Sequence, residues 1–502
     1  QIGLYIQDEW QATTNIKLTA GLRVDVPMYL NTLAPQPNIE ALTWYDTKGN
    51  PINGYQVNKY PKSTPILSPR LGFNYDVKND KSTVLRGGTG IFLGRIPFVW
   101  LGNQSANQVL SAEGAFQLNG TANNFKFPKV WRTNIAFDQK LPWGIIATID
   151  LMYGQDINAA VHRNYNMKPP SSSLSLVGAG GDSRPVFTDA EKQVNGSVNA
   201  GLIVMENTNK GYQYTATVQL SKNIGNTFFL TTAYTYGVSM DITSNPGEIA
   251  ANAFQTNPTK GNPNNVFLAH ADHELKHRLI LAGTYRKEYA KNFAFSVGLF
   301  GELTQGGPGS VIGEVGGRYS YIYTGDVNND GIGGNDLIFI PKDQSQIIFT
   351  PAQVKDGLGT VIKTISAAQQ WEDLNAFIEQ DNYLKNNRGK IAERNGAITP
   401  AFARADLKIT HDFSFKVSDK RKNTIQVSLD ILNFGNFLNK EWGVRKTAAN
   451  RNPLIYIGKD GMGRPQFNFA YDTNGQPLRK SFIDDTSLNS RWQAQFGIRY
   501  IF

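Results

Sequence analysis

The sequence predicts an all-β chain built as a transmembrane antiparallel β-barrel, and three observations carry that prediction. The first is the final stretch. Trp492, Ala494, Phe496, Ile498, Tyr500 and Phe502 alternate with Arg491, Gln493, Gln495, Gly497 and Arg499, the period of two of a strand with one apolar and one wet face. A chain that stops on the apolar face of a strand is expected to be anchored there rather than frayed. The second is that the connections between strand pairs alternate between short and long. The third is composition: only 18% of residues are charged and 48 are glycine, yet mean hydropathy is −0.35. The polarity therefore comes from uncharged side chains, as in half-wet strands joined by polar loops. No apolar run approaches the roughly eighteen residues a membrane helix needs, so a chain of this kind spans a bilayer with strands.

Taken in order, Gly3 to Trp10 is an aromatic-rich strand, followed by a short polar turn at Ala12-Thr13-Thr14-Asn15. Ile16, Leu18, Ala20, Leu22 and Val24 then alternate with polar residues and close a hairpin. Residues 26–66, rich in Pro, Asn and Tyr, read as a long loop. The unit recurs as Leu67 to Val77 and Val84 to Phe92 around Lys78-Asn79-Asp80-Lys81, then as Trp131 to Phe137 and Ile145 to Tyr153 around Leu141-Pro142-Trp143-Gly144. Tyr212 to Leu220 and Phe228 to Tyr236 flank Asn223-Ile224-Gly225-Asn226. Leu279 to Tyr285 and Phe293 to Leu299 flank Tyr289-Ala290-Lys291-Asn292. Ala405 to Val417 and Ile425 to Ile431 flank Asp419-Lys420-Arg421-Lys422, and Arg491 to Phe502 closes the series.

Short turns on one side and long loops on the other are the outer-membrane barrel signature, with the turns periplasmic and the loops extracellular. The largest such loop is residues 304–400. A soluble sandwich or propeller would instead show strands of about five or six residues, with short connections at both ends. Roughly thirteen strands of about ten residues is an odd count for a single-chain bacterial barrel. Gln1 falls within a strand, with no initiator Met or signal peptide before it. The expectation is a C-terminal part of a longer protein, with further strands and a lumen-filling element upstream. The terminal strand should pair with Ile425 to Ile431 and, on its other side, either meet upstream sequence or leave an open edge.

Several chemistries are excluded or left open. With no cysteine, there is no disulfide, thiolate metal site or cysteine nucleophile. The formal charge of +9 is dispersed, with no basic block longer than Lys420-Arg421-Lys422. It reads as basic groups at a membrane surface and in loops rather than as a nucleic-acid interface. Gly-x-Ser-x-Gly, Walker A and Gly-x-Gly-x-x-Gly signatures are absent, which argues against an enzyme. In Gly325 to Asp336, residues Asp326, Asn328, Asp330 and Gly331 match the first, third, fifth and sixth positions of a calcium loop, with Asp336 nearby. The twelfth position is Leu337 where a bidentate Glu belongs, and the same residues can close Asx turns with their own hydrogen bonds. Asp326, Asn328, Asp330 and Asp336 are thus the candidate Ca2+ ligands, and no cofactor is required. His270, His273 and His277 lie close together beside Asp272 and Glu274, a spacing open to metal ligation or to an ordinary strand mouth. Tyr5, Trp10, Trp131, Trp143, Tyr153 and Trp492 near strand ends read as interfacial girdles.

Four blocks carry a family resemblance. They are Gly3-Leu4-Tyr5-Ile6-Gln7-Asp8-Glu9-Trp10 with Leu18 to Arg23, Gly325 to Pro341, Arg388 to Gly396, and Ser428 to Asn436 together with the closing Arg491 to Phe502. They resemble the C-terminal barrel of TonB-dependent outer-membrane receptors, in particular the Bacteroidota, Oar-like group with a carboxypeptidase-regulatory-like N-terminal domain. The resemblance implies a barrel of about 22 strands, of which these are the last thirteen or so. A plug and the regulatory-like domain would precede them. It further implies a Gram-negative outer membrane with its lipopolysaccharide, TonB-energised uptake through the absent N-terminal region, and ligands gripped by the loops. Two other roles stay open: a surface platform for a lipoprotein or other envelope partners, and a passive porin.

Overall fold

The computed structural model describes the chain except residues 30–32, 106, 108–116, 246, 248, 307–316, 356 and 419–420. Asp419 and Lys420 of the expected last turn, and residues 307–316 of the 304–400 loop, therefore lie outside the described residues. Thirteen strands form one continuous antiparallel meander in sequence order. We number them β1 (Ile2–Gln11), β2 (Ile16–Val26), β3 (Ile66–Asp76), β4 (Thr83–Leu93), β5 (Lys129–Lys140), β6 (Ile145–Asn164) and β7 (Tyr212–Ile224). The remainder are β8 (Phe228–Asp241), β9 (Leu275–Tyr289), β10 (Phe293–Gly306), β11 (Phe402–Ser418), β12 (Arg421–Leu432) and β13 (Gln493–Ile501). β13 pairs with β12 from Thr424↔Ile501 to Leu432↔Gln493. Among the described residues β1 and β13 each have one neighbour in this sheet. No described helix is long and apolar enough to cross a membrane.

The register places all the alternating apolar residues on one face. Leu18 lies between Trp10 and Phe73, Leu279 between Tyr234 and Leu303, and Leu429 between Ile409 and Phe496. That face is uncovered: Leu4 is 73%, Ile6 72%, Phe496 67% and Ile498 70% exposed. A water-soluble sheet would bury such a band, whereas a lipid-facing one leaves it for the hydrocarbon. The opposite face is polar and crossed by interstrand ion pairs. Arg86 meets Asp138 at 2.8 Å, Arg278 meets Glu302 at 2.7 Å, Arg286 meets Asp412 at 2.9 Å, and Lys408 meets Asp430 at 2.6 Å.

The buried apolar clusters lie mainly in the long connections. The largest joins Leu174 and Val186 to Tyr319, Tyr321 and Tyr323, to Phe377 of helix α1 (Ala367–Gln380), and to Phe467 and Phe469. A second gathers Ile39, Trp44, Leu118 and Leu202. Because antiparallel strands alternate direction, every long connection leaves the same end of the sheet, and together they form a cored cap over that end. β6 runs further than alternation alone indicates. It stays paired with β7 as far as Gln155 and with β5 as far as Asn158, and from Ala159 to Asn164 it pairs with Leu202–Thr208, which pairs in parallel with Leu118–Thr121. The strand thus carries the sheet into the cap.

Candidate functional site: the cap over the strand mouths

Residues 317–355 and 357–401, the described part of the longest connection, are fastened to their surroundings by buried arginines. Arg184, fully buried, meets Asp182 at 2.8 Å and Asp336 at 3.1 Å and donates to the Leu337 carbonyl at 2.6 Å. Burial opposes its charge, but the two carboxylates outweigh burial and hold its proton more firmly than in a free guanidinium. Arg318 meets Glu274 at 2.6 Å, and Glu274 also accepts from His270 at 2.7 Å and from the Ser239 N–H of β8 at 3.0 Å. Burial would raise the Glu274 carboxyl, yet the bonds from His270, Ser239 and Arg318 keep it below its ordinary value. Arg394 meets Asp241, the last residue of β8, at 2.5 Å. The connection between β10 and β11 is thereby tied to the β6–β7 connection, to the β8–β9 connection and to the end of β8.

Aromatic and capping contacts complete the cap. Tyr319, Tyr321 and Tyr323 share one face of an extended run. The Tyr321 hydroxyl donates to Asp381 Oδ2 at 2.7 Å, and Asp381 Oδ1 accepts from the Tyr383 and Leu384 N–H groups at the start of the helix Asn382–Asn386. Tyr323 stacks on Phe467 with ring centroids 4.8 Å apart. Such a network fixes the positions of the loop backbones.

The candidate calcium ligands are brought together inside this cap. Asp326 accepts from the N–H groups of Asp330 at 3.0 Å and Gly331 at 2.8 Å. Gly331 has φ +86°, a conformation that glycine adopts without strain. Asp330 Oδ1 accepts from Ile332 N–H at 2.8 Å, and its Oδ2 accepts from the Asn328 and Asn335 amides at 3.0 and 3.1 Å. Asp336 Oδ2 accepts from the Val327 and Asn328 N–H groups, while Oδ1 faces Arg184. The carboxylate oxygens are thus engaged by N–H donors. Among the described residues no three His, Cys, Asp or Glu side chains stand in metal-holding geometry. Asn335 Oδ1 is buried without a partner beside Asp330. Burial and the neighbouring Asp336 charge push the Asp330 carboxyl up to about 7.

The histidines do not converge. His270 bonds Glu274, His273 bonds Asp272 at 3.1 Å, and His277 meets the Tyr234 hydroxyl at 2.7 Å. Of the aromatic residues noted near strand ends, Tyr5 stands on the polar face opposite Arg23, whereas Trp10, Trp131 and Tyr153 lie on the apolar face: Trp131 packs edge-on to Tyr153, and Trp492 packs on Phe437. The clamping roles of Arg184, Arg318 and Arg394 escaped the sequence reading: Arg184 and Arg318 lie in none of the recognised blocks, and Arg394, although inside Arg388 to Gly396, has its partner Asp241 153 residues away. For Arg318 the available signal was a lone arginine beside Tyr319, Tyr321 and Tyr323.

With the sheet, its two faces and its cap established, comparison with known proteins places the chain. It matches the outer membrane beta barrel domain family over residues 1–114 and 97–441. The chain belongs to that family. Its strands are therefore those of an outer-membrane barrel, and the exposed apolar band is the face turned to lipid. No curated protein matches the chain. Among solved structures, the outer-membrane transporter YddB from Escherichia coli is 13% identical with a TM-score of 0.44, over 99% of this chain and 45% of that one. The FrpB iron transporter from Neisseria meningitidis (F5-1 variant) is 12% identical with a TM-score of 0.39, over 86% and 41%. A point mutant of the ferric enterobactin receptor from Pseudomonas aeruginosa is 8% identical with a TM-score of 0.39, over 99% and 43%. The chain spans less than half the length of each.

Proposed function

We propose that this chain is the C-terminal, ligand-capturing part of a TonB-dependent outer-membrane receptor of the Oar-like Bacteroidota group, and that it is not itself an enzyme. The observation that carries the reading is the cap. The long connections gather at one end of a lipid-facing sheet and share a packed core and buried ion pairs above the mouth of a polar face. Ordered long loops of this kind are where binding function resides. In this reading the cap, including residues 304–400, is extracellular and surrounded by lipopolysaccharide, and the short turns are periplasmic. Strands preceding β1 complete a barrel of about 22. A plug and a TonB-contacting segment lie upstream of Gln1, and ligand held by the cap passes inward when the plug is drawn upon from the inner membrane.

The test uses the full-length protein in cells. Deleting the TonB-contacting segment should abolish energised uptake while surface binding to the cap persists. Undiminished uptake would overturn the reading in favour of a porin. Loss of a bound envelope partner with no loss of uptake would favour a platform.

A further inference from the structure

The polar face carries a half-open cavity where it meets the cap. Its floor is built by four adjacent strands at their cap-side ends: Arg132 on β5, Gly154 and Asp156 on β6, Gln213 on β7, and Ser239 and Asp241 on β8. The register puts these residues on the polar side, since Arg132 lies opposite Gly154, Gly154 opposite Gln213, and Gln213 opposite Ser239. The wall is formed by Ile242 to Asn245 and His273, and the space they partly surround is about 270 Å³. That is slightly less than the roughly 300–1,000 Å³ of sites that enclose a whole drug-sized ligand, and suits one small ligand or one end of a larger one.

Two features make this space a built site. Elsewhere on the face, opposite charges meet directly, as Arg86 does with Asp138 and Arg278 with Glu302. Arg132 and Asp156 line the same cavity, yet among the described residues neither has an ion-pair or side-chain hydrogen-bond partner. In addition, a Cβ at Gly211 would stand 2.0 Å from Asp156 Oδ2, a distance no side chain tolerates. Glycine at 211 is what lets the Asp156 carboxylate occupy its place. The acidic corner is reinforced by Asp241, whose own charge is answered by Arg394.

We infer that this cavity binds a small zwitterion, an α-amino acid or the two ends of a dipeptide, with the ligand ammonium on Asp156 and its carboxylate on Arg132. Two unpartnered opposite charges across a gap are complementary to a ligand that carries the reverse pair. Arg132 is exposed to solvent and Asp156 only partly buried, and a neutral sugar would answer the charge of neither. The inference deepens the receptor reading and rests on it for the ligand's route, but binding itself is measured without transport.

The experiment is calorimetric titration of the full-length protein in detergent with dialanine, N-acetyl-dialanine, dialanine amide and sucrose. Dialanine should bind, and each blocked form should bind about tenfold or more weakly, the size expected for one lost charge-assisted bond. Arg132→Gln should erase the preference for the free carboxylate alone, and Asp156→Asn the preference for the free ammonium alone. This reciprocal pattern is one that general unfolding cannot produce. Equal binding of the blocked forms, tighter binding of sucrose, or no dialanine binding would each overturn the inference. Failure here with TonB-dependent uptake of another solute intact would leave the receptor reading standing. Dialanine binding with uptake unaffected by loss of the TonB-contacting segment would do the reverse.

Discussion

Replacing Arg184 with Met should loosen the cap without touching the barrel. The guanidinium is fully buried between Asp182 and Asp336 and also serves the Leu337 carbonyl. Methionine fills much of the same space but leaves Asp336, itself fully buried, with no counter-charge. Breaking a buried pair by removing one partner costs about 3–5 kcal/mol. That corresponds to roughly a hundred- to several-thousand-fold increase in local opening. Hydrogen exchange reads it directly, because the Val327 and Asn328 N–H groups bond Asp336 Oδ2 and the Leu337 N–H bonds the Thr259 carbonyl. These amides should exchange faster by that factor, while amides of β12 hold their wild-type rates. The carboxyl of Asp336 already lies above its ordinary value because burial outweighs the Arg184 charge. In the variant it rises further, so the loss should be largest at alkaline pH and recede as falling pH lets the group take up a proton. Adding Asp336→Asn to the variant should recover part of the protection. Unchanged exchange across 327–337, or equal acceleration in β12, would refute the assignment of Arg184 as the clamp of this connection.

Three further outcomes are expected. The Asp330 carboxyl, pushed up to about 7 by burial first and by the Asp336 charge second, binds its proton more tightly in the folded cap than in an unfolded chain. Cap stability should therefore be greatest below about pH 4 to 5, as far as this group is concerned, and decline as pH rises through 7. Limited proteolysis of residues 317–401 at pH 5 and pH 8 measures the difference. Since N–H donors already engage the carboxylates of Asp326, Asp330 and Asp336, we expect EDTA and added Ca2+ to leave that proteolysis unchanged, whereas protection by micromolar Ca2+ would support these residues as calcium ligands. On the barrel, Leu281 lies mid-strand on the apolar face and is 44% exposed. Leu281→Arg should cost about 2–4 kcal/mol near the bilayer midplane, measured as a lower folding midpoint in lipid vesicles.

The barrel was legible in the sequence because lipid and water impose a period of two on nearly every residue of a spanning strand. Leu279, Leu281 and Tyr285 on one side, and Arg278, Thr284 and Arg286 on the other, give the register before any pairing is known. The cap was not legible in that way. Its strands are short ladders, such as Arg318–Tyr319 with Ala397–Ile398, too brief for periodicity to register. The Asp326–Asp336 segment was recognisable as an oxygen-rich turn, but its main counter-charge, Arg184, lies 152 residues from Asp336. The reach of β6 to Asn164 was missed for a related reason. Past Asn158 the strand no longer divides lipid from water, and its partner Leu202–Thr208 is itself part of the cap.

That division of labour bears on how ligand and cap would communicate. The apolar face of the sheet is spent on lipid and much of the polar face on interstrand ion pairs, so most of the apolar cohesion of the chain is concentrated in the cap. Asp241 belongs to both regions: it ends β8, lines the polar cavity, and holds Arg394 of the longest connection. A cation placed on Asp156 lies beside Asp241 and competes with Arg394 for its charge. Weakening that pair frees one of three buried arginine clamps on the connection, whereas Arg184 and Arg318 hold elsewhere. Occupation of the cavity should therefore loosen residues around Arg394 in preference to those around Asp336. Hydrogen exchange with and without dialanine separates the two: faster exchange near 394 with 327–337 unchanged supports the coupling, and uniform protection of the whole cap refutes it.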